Sequence, residues 1–168
     1  MLKDILLLTV FPASMAFAAS MDLFTFTVPN RIAIVLIIGF ALLAPLVGLG
    51  WPDIGWHVLA ASGALVVGFT LFAFGWIGGG DAKLFAASAL WLGPELLLNY
   101  CLVASLLGGG LTLLILQMRS APLPASLAGQ GWLAKLHDQK QGVPYGIALA
   151  ISGLISYPHT PFMAALGS

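Results

Sequence analysis

Apolar residues run through this chain in long unbroken stretches, separated by short clusters of Gly, Pro, Asn and charged residues. The runs cover residues 5–20, 32–50, 57–77, 82–92 and 96–118, and a last one begins at Val143 and is interrupted by Pro158 and Pro161. A helix rising 1.5 Å per residue needs about 20 apolar residues to cross the ~30 Å hydrocarbon core of a bilayer. The second, third and fifth runs meet that length, whereas the fourth is short unless it extends to Pro94. The apolar stretches are continuous rather than alternating, which argues for helices and against an outer-membrane barrel. The pattern predicts an all-α integral membrane protein with about six transmembrane helices in a single domain over residues 1–168.

The connections fall at about residues 21–31, 77–83 and 119–142. In the first, Pro29 disfavours helix at Val28, and Asn30 suits a turn or the N-cap of the next helix. Trp51 and Trp56 are placed as interfacial aromatics. Gly108-Gly109-Gly110 reads as a close helix-packing face. In the last connection Pro122 and Pro124 enforce irregular chain. The stretch GWLAKLHDQK then predicts a short interfacial helix with Trp132, Leu133 and Leu136 toward lipid. The first run also admits a signal-peptide reading, with Lys3 in front and Ala16-Phe17-Ala18 as a cleavage pattern. Against that stand Asp4, which cancels Lys3, and Pro12 in the middle of the run. Under that reading Asp22 would become nearly N-terminal.

Composition strengthens the membrane assignment. Of 168 residues 60% are hydrophobic and only 7% charged, against about 25% charged in soluble domains. Mean hydropathy is +1.04. Formal net charge is zero and there is no basic run, so nucleic acid is not an expected partner. The single cysteine, Cys101, excludes an internal disulfide and a CxxC metal site, and reads as packing. Six alternating spans put Arg31, Lys83, Arg119, Lys135 and Lys140 on one face and only Lys3 on the other. By the positive-inside rule the first face is cytoplasmic and both termini lie outside. Asp22 and Asp81 then share the cytoplasmic side, while Asp53, Glu95, His57 and His159 lie on the other.

The candidate chemistry centres on Gly78-Gly79-Gly80-Asp81. A carboxylate at the edge of an apolar span is costly to desolvate and marks a candidate functional site. The alternative is a Gly-rich turn with Asp81 as the N-cap of the next helix. Two carboxylates brought together in a partly desolvated site share a proton, giving a general base and a general acid as in aspartic proteases. Glycines beside them let a peptide backbone approach. Lys83 fits either of two roles, steadying the charge of the site or anchoring the span at the interface. No two of His57, His137 and His159 make ligand spacing, so neither a metal nor a cofactor is expected. There is no Gly-x-Ser-x-Gly and no phosphate loop. A non-enzymatic reading also exists, in which the acids belong to an ion- or proton-conducting subunit or an assembly scaffold. A conduit, however, wants polar groups through the depth of the bilayer, and the span middles carry almost none.

Asp22 with Val28-Pro29-Asn30, then Gly78-x-Gly80-Asp81-x-Lys83, then Gly142-Val143-Pro144-Tyr145-Gly146-Ile147-Ala148 resembles the prepilin peptidases of the GxGD class. It is most similar to the short form serving tight-adherence (Flp) pili. The resemblance spans essentially the whole chain and implies a bacterial inner-membrane aspartic endopeptidase. Such an enzyme removes basic leaders from prepilins at the cytoplasmic face. Asp22 and Asp81 would be the catalytic pair. Gly78 and Gly80 would shape the loop, supported by Lys83, Pro29, Asn30, Pro144 and Tyr145. Longer relatives carry a cysteine-paired cytoplasmic domain and methylate the new terminus, an activity not expected of a chain with one cysteine. Relatives often have basic residues after the first Asp, where this chain has Leu23-Phe24-Thr25-Phe26-Thr27.

Overall fold

The computed structural model describes residues 1–122 and 129–167. Among these it is all-helical: α1 (Leu2–Thr25), α2 (Asn30–Leu46), α3 (Trp51–Ala73), α4 (Gly79–Arg119), α5 (Gly131–His137), α6 (Tyr145–Ser156), a 3-10 turn (Tyr157–His159) and α7 (Pro161–Ala164). Pro124 lies outside the described residues. Helices α1, α3 and α4 are long and apolar enough to cross a membrane, and α2 is a shorter apolar helix. Large apolar side chains such as Ile34, Val35, Leu59, Val66, Leu102 and Leu113 are exposed around the outside. A bilayer covers such a surface, because every helix satisfies its own backbone there.

Helix α4 holds two of the expected runs. It breaks at Gly93, whose φ of 71° and ψ of 177° are not helical. The break has a chemical cause. Pro94 has no N–H, so the Leu90 carbonyl has no helical donor four residues on. The His57 side chain supplies one instead, its Nδ1–H donating to Leu90 O at 2.7 Å. Pro and Gly therefore turn one apolar run into two, and a histidine from α3 caps the exposed carbonyl.

The first half of α4, residues 79–92, is the centre of the bundle. Ala82, Leu84 and every residue from Ala86 to Gly93 are buried. It packs closely on α3 through small residues: Ala60, Ala64 and Gly68 are buried on that helix, and a Cβ at Gly68 would lie 3.1 Å from Ala82 Cα. Small-on-small contact is how helices approach in lipid, where no hydrophobic force drives them together. On the other side lies α6, only 12 residues long and so about 18 Å. An aromatic group of Phe11, Phe40, Trp91, Tyr157 and Phe162 fills the end away from Asp81. Trp91 Nε1–H donates to Leu36 O and Tyr157 O–H to Leu7 O, pinning α2 and α1 to that group.

Several boundaries differ from the sequence expectation. The first run is a core helix with Leu7, Phe11, Met15 and Ala18 buried, and it continues through Thr25. The first connection is therefore only residues 26–29, and Asp22 sits in the last turn of α1, not in a loop. Helix α5 forms where expected, but Leu136 is buried rather than turned to lipid, and Trp132 meets Phe24 edge-on. Of the three glycines in the second half of α4, only Gly108 packs, against Tyr145. A Cβ on Gly109 or Gly110 would meet nothing. The bundle interior is also less apolar than the sequence suggests. Ser88, Ser152 and Ser156 are fully buried, because small side chains fit between closely packed backbones; Ser152 bonds the Leu149 carbonyl of its own helix and Ser88 the Met15 sulfur of α1.

Candidate active site

Three helix ends meet at one end of the bundle: the last turn of α1, the first turn of α4 and the first turn of α6. Asp22 comes from the first and Asp81 from the second, and they are 3% and 6% exposed. Between them lies the N-terminus of α6. The Gly146 N–H donates to Asp22 Oδ2 at 2.7 Å. The Ile147 N–H also faces Asp22, and the Gly146 N–H faces Asp81 as well. The positive ends of two helix dipoles, α4 and α6, therefore point at the two acids.

Asp81 is not an N-cap. The N-cap is Gly78, and Asp81 stands three residues on, where its Oδ2 accepts from the Gly78 N–H at 3.1 Å. That is the reach-back half of a capping box. It accounts for one oxygen only. The other, Asp81 Oδ1, is buried and has no hydrogen-bond partner among the described residues. An unsatisfied buried carboxylate oxygen is expensive, so capping alone does not explain the residue.

The glycines are small for definite reasons. A Cβ on Gly80 would lie 2.9 Å from Val28 O, one on Gly78 would touch Asp81 Oδ2 at 3.0 Å, and one on Gly146 would stand 2.8 Å from Asp22 Oδ2. The residues around them hold the helix ends in place. Pro29 is the N-cap of α2 and Pro144 that of α6. Lys83 Nζ donates to Asn30 Oδ1 at 2.7 Å, tying α4 to α2. Lys83 thus bonds a neutral amide and not a carboxylate. The Tyr145 and Thr112 hydroxyls are hydrogen-bonded at 3.2 Å, and Tyr145 packs on Gly108. Arg119 donates to Leu136 O and Gly142 O, fastening the chain that leads into α6.

Asp53, His57, Glu95 and His159 line a separate cavity of about 350 Å³ at the other end of the bundle, beside Gly93. They do not join the acid pair. Among the described residues no group of three His, Cys, Asp or Glu is arranged to hold a metal.

A family model for the type IV leader peptidase family matches residues 9–113, a stretch that holds Asp22, Pro29, Asn30, Gly78, Gly80, Asp81 and Lys83. The chain belongs to the type IV leader peptidase family. As a leader peptidase with membrane-length apolar helices, it is a membrane protease whose family implies prepilin substrates. Pro144, Tyr145 and Gly146 of this leader peptidase lie beyond the matched stretch. No curated protein and no solved structure matches the chain.

Sequence reasoning missed three contributors. The N–H groups of Gly146 and Ile147 act through backbone, which no side-chain pattern reports. Phe26 closes α1 in the left-handed region at φ 58°, its N–H on Asp22 O at 2.9 Å. Glycine would have signalled that cap, but a bulky residue there gives no warning.

The close approach at Gly146 leads to an expected result. Gly146→Ala places a methyl 2.8 Å from Asp22 Oδ2 and 3.0 Å from Val28 Cγ2, so the carboxylate must move by a few tenths of an ångström or more. If Asp22 takes part in the cleavage, we expect kcat for prepilin to fall by up to about 10²-fold, since small misplacements of reacting groups carry costs of that size. KM and the unfolding midpoint should change little, since alanine suits a helix. Kinetics and a thermal melt on the purified protein in detergent read both.

Proposed function

We propose that this leader peptidase is an aspartic endopeptidase using Asp22 and Asp81, and that it removes the basic leader of Flp-type prepilins. The observation that carries the reading is the buried convergence of the two acids on Gly146, with one oxygen of Asp81 unpartnered. In the proposed reaction one carboxylate takes a proton from water, whose oxygen attacks the scissile carbonyl carbon. The other, protonated, gives its proton to the departing amine nitrogen as the C–N bond breaks. One group has gained a proton and the other has lost one, so the pair is restored with the roles exchanged.

Cleavage at the cytoplasmic face of a bacterial inner membrane, with both termini outside, is supported by the cations at the Asp22–Asp81 end. Lys83 is tied to Asn30 there and Arg119 to Gly142, while Lys3 bonds Ala165 at the other end. The single cysteine supports a product that leaves unmethylated. Co-expression with a Flp-type prepilin tests the proposal. The unaltered chain should shorten the prepilin on a gel, Asp22→Asn and Asp81→Asn should not, and mass spectrometry of the product should find a free amino terminus. Cleavage that survives both substitutions would sink the aspartyl pair.

A further inference from the structure

Asp81 borders a cavity of about 310 Å³ that the chemistry above does not use. One wall is α3, through Val67 and Leu71; the other is the second half of α4, through Cys101, Ala104, Ser105 and Gly108. Asp81, Phe85 and Tyr145 form the floor. The mouth opens sideways to the lipid-facing surface, where Val67 is 52% exposed and Ser105 is also exposed.

Four small residues at positions 101, 104, 105 and 108 occupy one helix face, the i, i+3, i+4, i+7 spacing. Around the same helix, Leu98, Leu102, Leu106 and Leu113 are exposed. The helix thus turns bulk toward lipid and a small-residue face toward the groove. Small residues are what lets a second helix come close in a membrane, and among the described residues no further helix fills the groove. Its inner end is the buried Asp81, whose Oδ1 lacks a partner among the described residues.

We infer that this groove, between α3 and the second half of α4, is the docking site for the apolar transmembrane helix of the substrate, which enters laterally from the bilayer. The inference rests on the aspartic peptidase reading, because the groove leads to Asp81. The substrate helix lies along the mouth and puts side chains into the cavity that Asp81 borders.

The native Cys101 provides the test. A Flp-type prepilin carrying one cysteine, moved stepwise along its apolar segment, is combined with the full chain bearing Asp81→Asn, and disulfide formation is induced in membranes. Adducts at Cys101 that recur every three or four substrate positions are expected. A control chain with Cys101→Ser and Leu42→Cys, the latter on the exposed face of α2, should give none. No adduct at Cys101, or equal adducts at position 42, would overturn the inference. So would Cys101–Cys101 dimers that prepilin does not displace, since a second copy would then be the occupant. Persistent cleavage by Asp81→Asn on the same gel would instead refute the catalytic reading, so the two failures are distinguishable. Independently, Ala104→Phe should raise KM for membrane-anchored prepilin by about tenfold and leave cleavage of a short peptide spanning the leader junction unchanged. Leu106→Phe should alter neither. An equal loss with both substrates would mean that Ala104 merely supports the fold, and would also overturn the inference.

Discussion

On the proposed mechanism, Asp81→Asn is expected to lower the single-turnover rate of prepilin cleavage by about 10²–10⁴-fold, the contribution of a positioned acid–base group, and Asp22→Asn is expected to do the same. The double substitution should be no worse than either single one, because groups that act as a unit are lost together. The amide is the right probe here. It keeps an oxygen to accept the Gly78 N–H in one case and the Gly146 N–H in the other, so the helix ends stay tied. Unfolding midpoints should therefore stay close to that of the unaltered protein. Single losses that multiply in the double variant would show two independent roles and contradict a shared proton-transfer unit.

Gly93→Ala is expected to cost about 3–5 kcal/mol of stability, from two added costs. At φ 71° and ψ 177° the backbone lies in a region that is essentially glycine's alone. The new methyl would also stand 2.7 Å from His57 Cε1 and 2.8 Å from Nε2. The ring cannot retreat without giving up the Leu90 carbonyl, which Pro94 leaves without a donor. Unfolding in mixed SDS micelles measures the loss. In the background of His57→Ala the same substitution should cost about 1–3 kcal/mol, since the clash is gone and only the backbone strain remains. Equal costs in both backgrounds would remove His57 from the explanation.

The helical runs were legible because a bilayer demands long apolar segments, and the Gly93-Pro94 break because both residues punctuate helices. The three motif stretches were legible as a set, yet nothing local says that residues 22, 81 and 146 meet. That meeting depends on which helices pack, and small residues such as Gly68 and Ala82 decide it without a distinctive pattern. The loop expected around Asp22 failed for a related reason. Met21 to Thr25 carry no helix breaker, and α1 simply continues until Phe26 takes the left-handed cap. Lys83 was readable as a cation at a helix start, but its choice of Asn30 over a carboxylate depends on reach across the bundle. Leu136 was assigned to lipid from its amphipathic stretch, whereas the carbonyl bond from Arg119 turns α5 inward.

The hydrogen bond between Gly146 and Asp22 joins residues 124 positions apart in the chain. Both acids leave the ribosome well before the helix that holds one of them in register. A nascent chain inserted as far as α4 already carries its two carboxylates but has no α6 amide between them. On the proposed aspartic reading, proteolytic competence therefore arrives only once α6 has been made and has packed between the two acids.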